Sequence, residues 1–158
     1  MKLGFAKEIA DDFLKMIRPF CLKAEIAGSV RREKPEPNDI EICAIPRDLW
    51  ELKNVMYIQH CLKGKFPSKY SQIIYQGEKM DIFWCNQDNW GNIFLIRTGP
   101  WEFSKKLMST RANIRGLKHE GGYLWHGNKK LRCPEEKDVF EMLGLPYIKP
   151  KNRERSVI

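Results

Sequence analysis

The sequence predicts a two-lobed α+β protein, with a mixed or antiparallel sheet backed by helices in the first lobe and a small helical lobe with a β-hairpin in the second. Three observations support this. Apolar residues recur at close to helical spacing over residues 3–20. Strand-like patterns then follow as far as residue 84, and near residues 86–91 they give way to a helix-rich pattern. We place the division between residues 1–88 and 89–158.

The first lobe begins with the amphipathic helix over residues 3–20. A short strand from Lys23 to Ala27 leads directly into Gly28-Ser29. The remaining elements follow from alternation, capping and turn signals. They are a half-buried strand over 39–45, a helix capped by Asp48 that runs to about Cys61, and strands over 70–75 and 79–84 joined by a turn at 76–78.

The second lobe has its own start and stop signals. A helix is predicted from Trp101 to Gly116. The stretch 121–128 predicts a hairpin with a Gly-Asn turn, because this dipeptide suits tight turns. Pro134-Glu135-Glu136 starts a further helix, since proline and carboxylates both suit the first turn, and 144–146 ends it.

Composition excludes several classes of protein. The 158 residues include no apolar run long enough for a membrane span and no signal-peptide pattern at the start, so we expect an intracellular protein of the cytoplasm or nucleoid. Five scattered cysteines without a C-x-x-C pair indicate reduced thiols. The net charge is +8, and residues 86–158 carry 14 basic against 8 acidic side chains, which favours contact between a polyanion and that half.

The pattern that carries chemistry is a set of carboxylates on strands. Asp39 and Glu41 lie two residues apart, so on a strand both point to one face while Ile40 and Ile42 enter the core. Paired carboxylates repel one another unless a cation lies between them, and hard ions such as Mg²⁺ prefer oxygen ligands. Asp81, between two apolar residues, offers a third carboxylate. For an isolated D-x-E pair, ordinary solvent-facing residues of amphipathic strands are the better explanation.

The Gly28-Ser29 turn upstream favours the chemical interpretation. Such a turn offers backbone N–H groups and a hydroxyl to a phosphate, and Arg31 or Arg32 can pair with a triphosphate. A phosphate-binding turn followed by three carboxylates suits phosphoryl or nucleotidyl transfer.

These motifs together resemble those of the DNA polymerase X family, the polymerase-beta-like nucleotidyltransferases. The resemblance covers roughly residues 20–155. Its segments are Gly28-Ser29-x-Arg-Arg, Asp39-x-Glu41, 79–82, Arg97-Thr98-Gly99, Phe103, 133–140, 143–150 and Arg153. It implies a nucleotidyltransferase palm over 1–88 and a lobe that binds nucleotide and DNA over 89–158, with the active site in the cleft between them.

The resemblance also implies roles for individual residues. The residues that would hold two Mg²⁺ ions, for which Mn²⁺ can substitute, are Asp39, Glu41 and Asp81, with Asp81 nearest the primer 3′-hydroxyl. The residues that would bind the incoming dNTP are Gly28, Ser29, Arg32, Asn38, Thr98, Gly99 and Trp101. The residues that would contact DNA are Arg97 and Lys105.

The resemblance predicts template-directed DNA synthesis, with gapped or primer–template DNA as partner and short-gap filling in repair as the natural task. Only one helix precedes the palm, so we expect no lyase activity, and a separate DNA-clamping or repair partner remains open. Ile96-Arg97 stands where an aromatic pair commonly precedes the Thr-Gly turn. Template-independent transfer to DNA or RNA ends therefore remains an alternative, and a non-catalytic DNA-binding module is a further one.

Overall fold

The computed structural model describes residues 1–155. It contains both helices and strands, which confirms the predicted α+β class. The chain divides into two units, the first spanning Met1–Cys85 and the second beginning at Asn86. No helix in the described part combines the length and apolarity that a membrane crossing needs. All five cysteines are free thiols.

The first unit is built around a five-stranded sheet in the order β1-β2-β5-β4-β3. Strands β2 and β5 run parallel, and the other neighbours are antiparallel. Its elements are α1 Leu3–Ile17, β1 Cys21–Ala27, α2 Gly28–Arg31, β2 Ile40–Pro46, α3 Leu49–Tyr57, β3 His60–Lys63, β4 Tyr70–Tyr75 and β5 Glu78–Trp84.

The core of this unit forms between the sheet and its helices. Phe13 and Ile17 on the apolar stripe of α1 are fully buried, as are Ile40, Ile42 and Ile82 on the central strands. The alternation predicted for the strand after residue 39 is therefore confirmed for both isoleucines. Burial of these side chains fixes which face of β2 points away from the core.

Several local predictions for the first unit can be compared with the structure. The Asp48 side chain accepts a hydrogen bond from the backbone N–H of Glu51 at 3.1 Å, which confirms the cap. Helix α1 ends at Ile17, earlier than predicted, because Pro19 cannot donate the next helical hydrogen bond and a 3₁₀ turn follows. The prediction that α3 runs to Cys61 is wrong, since that residue belongs to β3.

The second unit combines short helices with a three-stranded antiparallel sheet in the order β6-β7-β8. A π-helical segment, Lys106–Arg111, joins α5 to α6, and a 3₁₀ segment, Pro150–Arg155, follows α7. Its elements are α4 Trp90–Thr98, α5 Trp101–Lys105, α6 Ala112–Ile114, β6 Lys118–Glu120, β7 Tyr123–His126, β8 Lys129–Leu131 and α7 Glu136–Met142.

Both helices predicted for this unit are present, whereas α4 and strand β6 were not predicted. The helix predicted over 101–116 is present as the run from α5 through α6. Glu135 and Asp138 form a capping box at the start of α7, so the carboxylates lie at the predicted start, whereas Pro134 precedes the cap and is not in the first turn. Two turns connect the strands, at Gly121-Gly122 and at Gly127-Asn128, so the predicted single hairpin is the second half of a larger sheet.

Candidate active site

Two predicted carboxylates lie side by side on the central strands. Glu41 on β2 and Asp81 on β5 are direct partners in the parallel ladder, so their side chains leave the same face of the sheet. Asp39 precedes β2, which begins one residue later than predicted. All three carboxylates thus lie on, or directly before, the neighbouring strands β2 and β5.

The pKa of Asp39 is shifted by the groups that surround it. Partial burial raises the pKa of Asp39 above its ordinary value, and the negative charge of Asp81 raises it further. Its own backbone hydrogen bond, Lys79 and Arg32 act in the opposite direction. Asp39 and Asp81 are therefore near enough to interact electrostatically, with Arg32 close to the same site.

Neighbouring side chains orient Asp81. Its Oδ1 accepts hydrogen bonds from the Tyr70 hydroxyl at 2.5 Å and from Gln72 Nε2 at 2.9 Å. Within residues 1–155, no three His, Cys, Asp or Glu side chains are already arranged as a metal-binding group. The three carboxylates therefore lie near one another without forming such a group in this conformation.

The turn after β1 packs against Glu41. Gly28 has φ +64°, and a Cβ placed there would lie 1.8 Å from Glu41 Oε2, so only glycine fits. The next residue, Ser29, has a buried hydroxyl without a hydrogen-bond partner among the described residues. A buried hydroxyl without a partner is costly, and a ligand oxygen beside this turn would satisfy it.

These observations test whether the residues suit a metal-bound nucleotide. Carboxylate oxygens are the ligands that Mg²⁺ and Mn²⁺ prefer. The unpartnered Ser29 hydroxyl provides a donor beside them, and the absence of a Cβ at Gly28 lets the turn approach Glu41 closely. The carboxylates and the Ser29 hydroxyl therefore suit a metal-bound nucleotide. Asn38, also predicted to bind nucleotide, is exposed directly before Asp39.

The other predicted site residues lie in the second unit. Thr98 ends α4 and is fully buried, and Gly99 follows with φ +65°. Arg97 is exposed on the last turn of α4. Trp101 starts α5 with 71% of its surface exposed, and Lys105 Nζ lies 4.7 Å from the centre of one of its rings. The structure thus leaves the Trp101 indole accessible.

Sequence reasoning missed Tyr70 and Gln72, the two residues that hold Asp81. A usable signal was present. The two-residue turn Gln76-Gly77, with φ of +49° and +80°, sets the register of β4 against β5. That register places Gln72 opposite Asp81, as the structure shows.

Comparison with known proteins identifies the second unit. Residues 94–154 match the family model described as DNA polymerase beta thumb. No curated protein matches the chain. The matched segment contains α5 through α7 and the sheet between them, together with the buried Arg153. Residues 94–154 of the second unit are therefore similar to the DNA polymerase beta thumb, which supports a polymerase-X-like chain with a DNA-binding, polymerase-related function.

Proposed function

We propose that the chain is a template-directed DNA polymerase that adds dNTPs to a primer 3′-hydroxyl and fills short gaps during DNA repair. The observation that carries the proposal is the pairing of Glu41 with Asp81 across the parallel strands, with Asp39 beside them. A thumb domain in the same chain supports a polymerase rather than another phosphoryl-transfer enzyme.

The first unit provides the chemical groups. Asp39, Glu41 and Asp81 would hold two Mg²⁺ ions, which supply stabilisation of the negative charge that develops on phosphate oxygens. The Ser29 hydroxyl donates a hydrogen bond to a phosphate oxygen, and Arg32 pairs with the phosphate charge.

Asp81 is the residue placed to accept the proton of the 3′-hydroxyl. Tyr70 and Gln72 both donate to its Oδ1, which fixes the carboxylate and presents Oδ2 to the substrate. A positioned base of this kind contributes about 10²–10⁴-fold to a rate. Tyr70 and Gln72 therefore act as positioning residues in this proposal.

The second unit provides contacts with nucleotide and DNA. The exposed indole of Trp101 offers a surface for stacking on a base, an interaction worth about 1–3 kcal/mol. Lys105, beside that indole, and Arg97 supply positive charge for DNA. Asn38, Thr98 and Gly99 complete the proposed nucleotide contacts.

Single-nucleotide incorporation on a one-nucleotide gapped duplex tests the proposal. Each templating base is offered with each dNTP separately, in Mg²⁺, for the wild type, Asp81→Asn and Glu36→Gln. The last variant is a matched control, because Glu36 is an exposed carboxylate in the loop before Asp39. We expect Asp81→Asn to lower incorporation by about 10²–10³-fold or more, since several kcal/mol of stabilisation are lost. Glu36→Gln should leave it unchanged.

Each outcome has a distinct meaning. Incorporation that follows the templating base and is lost in Asp81→Asn supports the polymerase. Incorporation that ignores the templating base but needs Asp81 would indicate a terminal nucleotidyltransferase instead of a polymerase. Tight DNA binding without turnover in Mg²⁺ or Mn²⁺ would leave a non-catalytic DNA-binding module. Full activity of Asp81→Asn would overturn the assignment of the active site.

A further inference from the structure

The second unit contains an open pocket that the proposed polymerase reaction does not use. Its volume is about 430 Å³, within the range typical of small-ligand sites. Three basic side chains line it, namely Arg115, His126 and Lys129, and no carboxylate is among its lining residues in the described chain. Ile114, Leu131 and Met142 contribute apolar walls. The pocket thus combines positive charge with an apolar surface.

The hairpin formed by β7 and β8 explains how two basic residues come to line the pocket. Leu124 and Leu131 are cross-strand partners, and Leu124 is fully buried in the core. Side chains two positions apart share a face, so the next pair on the face of Leu124 and Leu131 is His126 with Lys129, and both of these are exposed. The change from leucines to a basic pair marks where the core ends and the pocket begins.

Arg115 reaches the pocket from the end of α6. Its Cζ lies 3.2 Å from the position that a Cβ on Gly144 would take, so the guanidinium packs beside the end of α7. The carbonyls there are bound by a different residue: Arg111 donates to Leu143 O at 2.7 Å and to Gly144 O at 3.1 Å. Arg115 is therefore not needed to cap α7.

Among residues 1–155, no partner compensates the charges of the pocket. In the described part of the chain, the side chains of Arg115, His126 and Lys129 form no hydrogen bond and no ion pair. Cations that face an apolar surface without an acidic partner suit a ligand that is anionic at one end and planar or apolar at the other. A nucleotide has both properties, and its phosphate takes bidentate contacts from arginine.

We propose that this pocket binds a single nucleotide of unpaired DNA, with its phosphate on Arg115 and Lys129 and its base on the apolar walls. Unpaired DNA fits better than an acidic peptide because the thumb domain is already a DNA-binding part of this chain. The site lies wholly within the second unit and contains none of the residues assigned to catalysis. It would hold a strand that the active site does not itself grip.

Titration of the full ¹⁵N-labelled chain tests the site without any reaction. The ligands are inorganic phosphate, dTMP, the oligonucleotide (dT)₄ and a tetra-glutamate peptide, all in EDTA so that no divalent ion takes part. We expect (dT)₄ to shift the backbone resonances around Arg115, His126 and Lys129, with dTMP weaker and phosphate weakest. The variant Asp81→Asn should show the same shifts, so failure here is distinguishable from failure of the proposed polymerase.

Two double variants separate the pocket from general electrostatics. Arg115→Ala/Lys129→Ala removes two charges from it, whereas Lys137→Ala/Lys151→Ala removes two exposed charges elsewhere in the same unit. We expect the first to lower (dT)₄ affinity by about tenfold or more, because two charged hydrogen-bonding groups are lost, and the second by less than about threefold. Ile114→Ser, at an exposed wall residue, should weaken (dT)₄ more than inorganic phosphate.

Four results would overturn the proposal. One is the absence of localised shifts with (dT)₄, and a second is an equal loss of (dT)₄ affinity in the two double variants. Another is dTMP binding as tightly as (dT)₄, which would assign the pocket to a free nucleotide. Preferential binding of the tetra-glutamate peptide would assign it to an acidic protein segment. If a double variant fails to fold, the wild-type shift map decides the question alone.

Discussion

Breaking the buried ion pair between Arg153 and Glu136 should strongly destabilise the second unit. Arg153 is 1% exposed and Glu136 is 6% exposed. Arg153 Nη1 donates to Glu136 Oε2 at 2.9 Å, and its Nε donates to Ile148 O at 3.0 Å. The guanidinium also lies 5.4–5.7 Å from the ring centres of three aromatic residues, Phe103, Phe140 and Tyr147.

The magnitude follows from what each substitution leaves behind. Glu136→Leu leaves the Arg153 guanidinium buried without a counter-charge. Arg153→Met likewise leaves the Glu136 carboxylate buried without a counter-charge. Each should cost about 3–5 kcal/mol of the free energy of unfolding. The double variant Glu136→Leu/Arg153→Met buries apolar groups of similar size, and replacement of a whole buried pair is often neutral. We expect it to cost less than about 2 kcal/mol, far below the sum of the single variants.

Native-state hydrogen exchange on the full chain measures this where it occurs. The most protected amides of α7 and β7 report the second unit, and those of β2 and β5 in the first unit serve as an internal control. We expect the single variants to lose protection in the second unit, or to unfold it, while the double variant recovers most of it. Additive costs in the double variant, or a loss below about 1 kcal/mol in either single variant, would refute the reasoning.

Three further predictions concern the first unit. Burial and the charge of Asp81 raise the pKa of Asp39 above 3.8, so the folded state loses stability as the pH rises through the folded pKa and Asp39 ionises. In thermal melts, Asp39→Asn should therefore have a higher melting temperature than the wild type at pH 7 and the same melting temperature at pH 3. Asp48→Ala removes the cap of α3 and should cost about 1 kcal/mol in urea unfolding, with little effect on incorporation. Gly28→Ala should abolish gap filling and destabilise by more than Gly116→Ala, because both have positive φ but only at Gly28 would the Cβ collide, with Glu41.

The first unit could be predicted well because its signals are local. The cap at Asp48, the turn at Gln76-Gly77 and the alternation around Ile40 and Ile42 each involve neighbours in sequence. Strand β3 was missed because all four of its residues are exposed, so it carries no burial pattern. It exists because it pairs with β4, a contact that a propensity argument does not contain.

Two features of the second unit could not be predicted from signals between neighbours in sequence. The helix predicted over 101–116 is continuous, yet its middle is π-helical, and hydrophobic spacing does not reveal that change in hydrogen bonding. The burial of Arg153 was equally hidden, since a lysine- and arginine-rich end of a chain normally indicates a solvated surface. Only the aromatic residues and Glu136, brought together by the fold, make that burial possible.

The candidate site follows from the one parallel pairing in the described sheet. Parallel neighbours in register send side chains to the same face at the same height, so Glu41 and Asp81 meet although they are far apart in sequence. Gathering like charges in a half-buried place costs stability, as the raised pKa of Asp39 shows. A sequence selected for stability alone would replace one of the three carboxylates. Their presence beside a buried, unpartnered Ser29 hydroxyl is explained if cations and a phosphate offset that cost, and the same reasoning requires Asp39→Asn to gain stability while it loses activity.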